Sequence, residues 1–373
     1  MGQITNKSKN EKKNKKIDIK ENKKIDKKEN KKIGIKENKK IDIKEKNVQP
    51  SNIIESYGAC YLDNIFTVFT SVKDDIIYLI YTNKDNSIIS YNLIINQRMN
   101  EIKNAHEDKI TNLRYFYDTY NVRDLVISLC GSNNSIKVWN INNLDCLLCI
   151  KKINKRGFLR SAYILLDNEN KYIITSNDNY NLFEDPIKVF DFNEKLIKTI
   201  DGSKERILFI DVYYDDKEYK NYILTGNYGY IKSYDYNNNK LYQKYCDNDN
   251  YEHNCIIINN NKKQIELIES SNDGNIRIWD FHLNILLKKI KVFESYLYGI
   301  CLSDEDYLYV GCKDKIIRLI ELKTGKIIKE LKGHDNIVVT VKIINHSKNG
   351  KFLISQAFGE DHIKIWRKEI NEK

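Results

Sequence analysis

A strand–turn–strand phrase recurs along the chain at intervals of 41 to 51 residues, and this recurrence limits the folds open to it more than any other feature. The clearest copy spans 271–280 and reads S-N-D-G-N-I-R-I-W-D. Asp273-Gly274 supplies a tight turn, because Gly tolerates positive φ and Asp bonds its own backbone. Ile276, Ile278 and Asp280 fall on one face of the strand that follows, with Arg277 and Trp279 on the other. Six further copies align on the position of Trp279, at Tyr91, Trp139, Phe190, Tyr234, Ile320 and Trp366. Each follows another apolar strand, such as LVISLCG, YILTGN or YLYVGC. One small sheet cannot bury both of its faces alone. Copies stacked radially shelter each face on the next, and a closed ring leaves only short edges.

A four-stranded unit at this period, with Gly-His and Trp-Asp marks, resembles the WD-repeat family of β-propellers. The resemblance covers residues 51–373 and implies an all-β, seven-bladed propeller. The Gly-His mark stands as Gly333-His334 and, altered, as Ala105-His106. The turn Asp six residues before the aromatic position is Asp85, Asp273 or Asp314. Trp279-Asp280 keeps the Trp-Asp pair, whereas Trp139 and Trp366 keep the Trp alone. No copy spells out the whole His, Ser/Thr, Asp and Trp set of the family. The resemblance gives His106 and His334 a structural role inside a blade in place of a catalytic one. Only seven residues follow Trp366, too few for an outer strand. Residues 52–56 are therefore expected to complete the last blade and close the ring.

Charge divides the chain at about residue 50. Residues 1–50 hold 18 Lys and 8 acidic residues, so the formal charge of +10 lies wholly there and the remainder balances to zero. Residues 14–45 are four octapeptides of the form NKKIDIKE. Their Ile residues form no helical stripe, and the charge predicts a disordered, Lys-rich N-terminal arm. Two readings fit the arm: a polycationic tether for an anionic membrane surface, an acidic protein or nucleic acid, and a solvated, repeat-expanded tail. The opening Met1-Gly2-Gln3-Ile4-Thr5-Asn6 resembles an N-myristoylation site at Gly2, with Asn6 where the stricter pattern has Ser or Thr. An acyl chain beside a polybasic segment is a two-signal membrane anchor.

The sequence calls for no catalytic residue, no metal, no cofactor and no small-molecule substrate. It holds no Gly-rich phosphate loop, no G-x-S-x-G and no H-E-x-x-H. Cys146-x-x-Cys149 lacks a second pair and is expected to be buried strand cysteine. His253-Asn-Cys255 reads as a loop His beside a strand Cys. Asp215-Asp216 and 304–306 read as solvated loops. Scattered thiols without an apolar leader point to a reducing compartment, cytoplasmic and by way of the arm peripheral on membranes, with the nucleus not excluded.

Binding is expected on the loops. The third copy carries a long loop, 177–186, presenting Tyr180, Leu182 and Phe183, and Arg156 and Arg160 precede it as candidates for carboxylate or phosphate contacts. The expected function is a non-catalytic scaffold or adaptor that presents propeller loops to other proteins. The alternative is a subunit of a larger complex associated with nucleic acid or an acidic partner.

Overall fold

A computed structural model of the chain describes residues 52–55, 65–153, 158–167, 169–178, 187–200, 207–247, 251–260, 263–360 and 362–367. These belong to one compact unit within 47–373. The arm with Gly2, and the loop residues Arg156, Tyr180, Leu182 and Phe183, lie outside the described residues.

Among the described residues the strands group into seven four-stranded antiparallel sheets, and no helix is long and apolar enough to cross a membrane. Blades 1 to 6 each take four consecutive strands, ordered from the inside outward. Blade 7 takes three, Val338–His346, Gly350–Ala357 and His362–Arg367, and its fourth is Asn52–Glu55 from the other end of the chain. The register there pairs Asn52 with Ile365, Ile53 with Lys364, Ile54 with Ile363 and Glu55 with His362. Joining the first strand to the last sheet means the ring cannot open without breaking a hydrogen-bonded strand pair.

Seven apolar clusters fill the seven gaps between neighbouring blades. Ile276 and Ile278 pack toward Leu308 and Val310 of blade 6. From the opposite face of the same strand, Trp279 packs toward Tyr222 and Leu224 of blade 4. The two faces deduced from strand periodicity therefore serve two different neighbours. Phe66, Ile77 and Leu79 of blade 1 meet Phe352, Ile354 and Ile365 of blade 7, which closes the circle.

The aligned position has a geometric meaning. In six blades the third strand shifts register against the outermost one at this residue: Tyr91, Trp139, Phe190, Tyr234, Trp279 and Ile320. A bulge of this kind increases the local twist. Turn chemistry explains the abundance of Asn, since Asn86, Asn104, Asn134, Asn239 and Asn284 all carry positive φ. At Gly274, φ +79°, a Cβ would also collide with the carbonyls of Phe293 and Ser295.

Three expectations are corrected. Cys146 and Cys149 are free and not buried, because they lie on the outermost, solvent-facing strand of blade 2, Cys146–Ile150. His253 opens the innermost strand of blade 5 and is fully buried. Asp215 ends a strand but turns inward, and is only 1% exposed.

Candidate interaction surface

Antiparallel alternation puts all hairpins between first and second strands on one end of the ring. On that end the tips of blades 2, 3 and 4 enclose a groove of about 640 Å3. Ile164, Leu165 and Val212 contribute to its apolar lining, with Phe116, Tyr120, Tyr214 and Tyr219. Tyr120 is 53% exposed, Tyr214 46% and Tyr219 79%, and Val122, two residues after Tyr120, is 65% exposed. Val122 and Tyr219 have φ of 49° and 54°. Bulky L-residues enter that region at a cost, and such strain collects at functional sites.

The tip of blade 2 is held by the buried carboxylate of Asp118. Its Oδ2 accepts from Lys171 Nζ at 2.8 Å, Asn121 Nδ2 at 2.8 Å and Arg123 Nε at 3.0 Å. Burial pushes the Asp118 pKa up, but these donors outweigh burial and hold it below the usual carboxylate range. The groove thus combines a rigid frame with exposed, amphipathic tyrosines, the side chains enriched at protein interfaces.

The ring axis holds a second cavity, of about 450 Å3, lined among others by Arg114, Arg160, Asp211, Asn254 and Lys342. Arg114 pairs with Asp211 at 3.2 Å and donates to Ile210 O at 2.9 Å. Lys342 Nζ donates to Phe66 O at 3.1 Å. Arg160 sits at the register shift of strand Phe158–Asp167, with its guanidinium 6.0 Å from the Phe158 ring. It belongs to an inner strand facing the axis, and not to a basic loop.

Within the blades, His and Trp converge on one small acceptor. His106 Nε2 and Trp139 Nε1 both lie 2.7 Å from Ser128 Oγ, and His106 Nδ1 lies 3.1 Å from Ser135 Oγ. In blade 7, His334 Nε2 and Trp366 Nε1 meet Ser355 Oγ at 2.7 and 2.8 Å, and His334 Nδ1 meets Glu360 at 2.7 Å. Blade 5 has its own version: His253 Nδ1 contacts Glu269, which also accepts from Trp279 Nε1 at 3.2 Å. Asp273 and Asp314 turn to arginine instead, bonding Arg277 and Arg318 at 2.6 Å. Asp280 caps the following turn by accepting from the backbone of His282 and Leu283.

The family model described as WD domain, G-beta repeat matches residues 325–367, the stretch that carries the His334–Ser355–Trp366 network. The fold is a seven-bladed β-propeller that carries a WD repeat at 325–367. Among curated proteins it is similar to the U3 small nucleolar RNA-associated protein 21 homolog of Schizosaccharomyces pombe, 30% identical over 100 residues, covering 27% of this chain and 11% of the relative. It is also similar to autophagy-related protein 16 of Arabidopsis thaliana, 25% identical over 179 residues, covering 48% of this chain and 33% of the relative. The CCR4-associated factor 4 homolog of Vanderwaltozyma polyspora is 24% identical over 271 residues, covering 65% of this chain and 33% of the relative. The matched regions thus span a third or less of the length of these relatives.

Inside their blades His106 and His334 are held in hydrogen-bonded networks. Burial, with the Lys137 ammonium nearby, pushes His106 down to about 3, so it stays neutral and committed to its serines. The groove tyrosines escaped the sequence reading, which looked to the other end of the ring. The available signal was aromatic residues inside polar hairpin tips, in Y-D-T-Y-N-V-R-D and V-Y-Y-D-D-K-E-Y-K.

Proposed function

We propose that this WD-repeat propeller is a non-catalytic interaction platform whose inner-hairpin end docks an extended, apolar segment of a partner protein. The groove rimmed by Tyr120, Tyr214 and Tyr219 carries this reading. Three large amphipathic rings on rigid tips offer contact area with little side-chain entropy to lose. Two of the relatives are by name associated factors, one of RNA and one of CCR4. Membership of a larger assembly is the role these names support here. The Lys-rich arm adds electrostatic capture of an anionic surface, raising the effective concentration of whatever the ring binds. Such a platform works in the cytoplasm, at a membrane face when Gly2 is acylated.

Proteins co-purifying with the full chain, with residues 47–373, and with a Tyr120→Ser/Tyr219→Ser double variant test this directly. The expected result is a partner set kept by 47–373 and lost from the double variant. An unchanged partner set in the double variant overturns the groove as the docking site. Steeply salt-dependent nucleic-acid binding that vanishes with residues 1–50 would favour the nucleic-acid-associated alternative.

A further inference from the structure

We propose that Asp215, Glu218 and His282 form a binding site for a divalent transition-metal ion of the zinc type, joining blade 4 to blade 5. One ligand atom from each lies within 4.8 Å of the others. Asp215 and Glu218 come from the inner hairpin of blade 4, and His282 follows the Trp279 strand of blade 5.

The decisive atom is Asp215 Oδ2. Its sister Oδ1 accepts from the backbone of Lys217 at 2.9 Å and Glu218 at 3.4 Å, which fixes the carboxylate. Oδ2 is buried and accepts no hydrogen bond. It lies 3.0 Å from His282 Nε2, so the two atoms converge without a hydrogen bond between them. The imidazole is held from its other side, with Nδ1 2.9 Å from Tyr242 Oη. The rings of Phe281 and Tyr242 meet it edge-on. In the tautomer with hydrogen on Nδ1 the ring gives that N–H to Tyr242 Oη, as a metal-bound histidine characteristically does, and the Nε2 lone pair is left for the ion. A lone pair on Nε2 and a carboxylate Oδ2 at this separation call for a positive charge between them, which a proton or a metal ion can supply.

Glu218 supplies the third ligand from the solvent side. Its Oε2 accepts from Tyr222 Oη at 2.8 Å and Lys220 Nζ at 3.1 Å, which positions the carboxylate. Three ligands about 2.0–2.2 Å from zinc in tetrahedral arrangement stand roughly 3.3–3.6 Å apart, leaving a fourth position for water. Imidazole with carboxylates suits zinc, whereas magnesium and calcium favour all-oxygen sets. The two carboxylates balance the ion's charge.

The test uses the full chain, stripped with EDTA, dialysed and titrated with zinc chloride by calorimetry, with thermal melting followed in parallel. The expected result is one saturable equivalent that depends on these residues and a melting temperature that rises with zinc and falls back with EDTA. At about 100 times the Kd, the folding constant should rise about 100-fold. Glu218→Gln, on an exposed side chain that leaves the fold in place, and His282→Asn should each weaken that binding at least tenfold. Tyr242→Phe should weaken it about 10- to 100-fold through the lost orientation of the ring. Absence of saturable zinc binding overturns the proposal. So does binding untouched by Glu218→Gln and His282→Asn, which would put the ion elsewhere. A melting temperature indifferent to zinc overturns it too.

Discussion

Trp366 Nε1 donates to Ser355 Oγ across 2.8 Å, inside the blade that also receives the chain's first strand. The same hydroxyl lies 2.7 Å from His334 Nε2. One oxygen can accept from the indole and donate to the imidazole, which leaves His334 Nδ1–H for Glu360. Ser355→Ala removes both bonds and strands two buried polar groups, so it should cost about 2–3 kcal/mol. Ser355→Thr, which keeps the hydroxyl, should cost less. Urea unfolding of the two variants makes the comparison.

Acid should destabilise the ring through His106. Folded His106 binds a proton only near pH 3, while the unfolded chain takes it near the ordinary value of 6.5. Between those values the unfolded state holds more protons, so stability falls as pH falls and levels off above 6.5. The slope from this group is at most about 1.4 kcal/mol per pH unit. Glu360, raised by burial but held at about 2 by His334 and its other donors, adds a loss that begins below the ordinary glutamate value. Comparing His106→Gln with the parent between pH 6 and pH 5 isolates the histidine: the variant should show the flatter profile.

Arg277 is wholly buried and anchors two acids, Asp247 at 2.6 Å and Asp273 at 2.6 Å, beneath the Tyr251 ring. Burial raises the Asp247 pKa, yet Arg277 and Lys289 outweigh it and bring the carboxyl to about 2. Arg277→Met leaves those acids without their main partner and should cost about 3 kcal/mol. NMR titration of the variant should find Asp247 moved up toward the ordinary range.

Tyr219 should behave oppositely. It is 79% exposed, so Tyr219→Ser should change stability by no more than about 0.5 kcal/mol while reducing partner capture. Thermal melting beside co-purification separates the two effects.

The period made the ring legible. Every blade needs a turn and a strand, six add a residue at the bulge, and those local demands are written within ten residues of each other, as around Trp279. The closing strand was legible for the same reason, since the count left blade 7 one strand short. The polar networks were harder to read. Ser128, Ser355 and Glu269 look like ordinary strand residues until the fold sets a His and a Trp beside them. His253 lies 26 residues before Trp279, where His106 and His334 lie 33 and 32 before theirs, so its spacing hid it. The groove depends on tips from three blades meeting, and Asp215 turns inward through backbone bonds within its own hairpin. No single stretch of sequence encodes either.

The most direct test of the account is a disulfide between opposed positions of the closing pair, Ile54→Cys with Ile363→Cys. Oxidation followed by proteolysis and mass spectrometry should recover the 54–363 cross-link in high yield from the folded full chain, with a raised melting temperature. A folded protein in which the two introduced thiols do not cross-link, or in which the thiol at position 54 joins a native cysteine instead, contradicts a ring closed by its first strand.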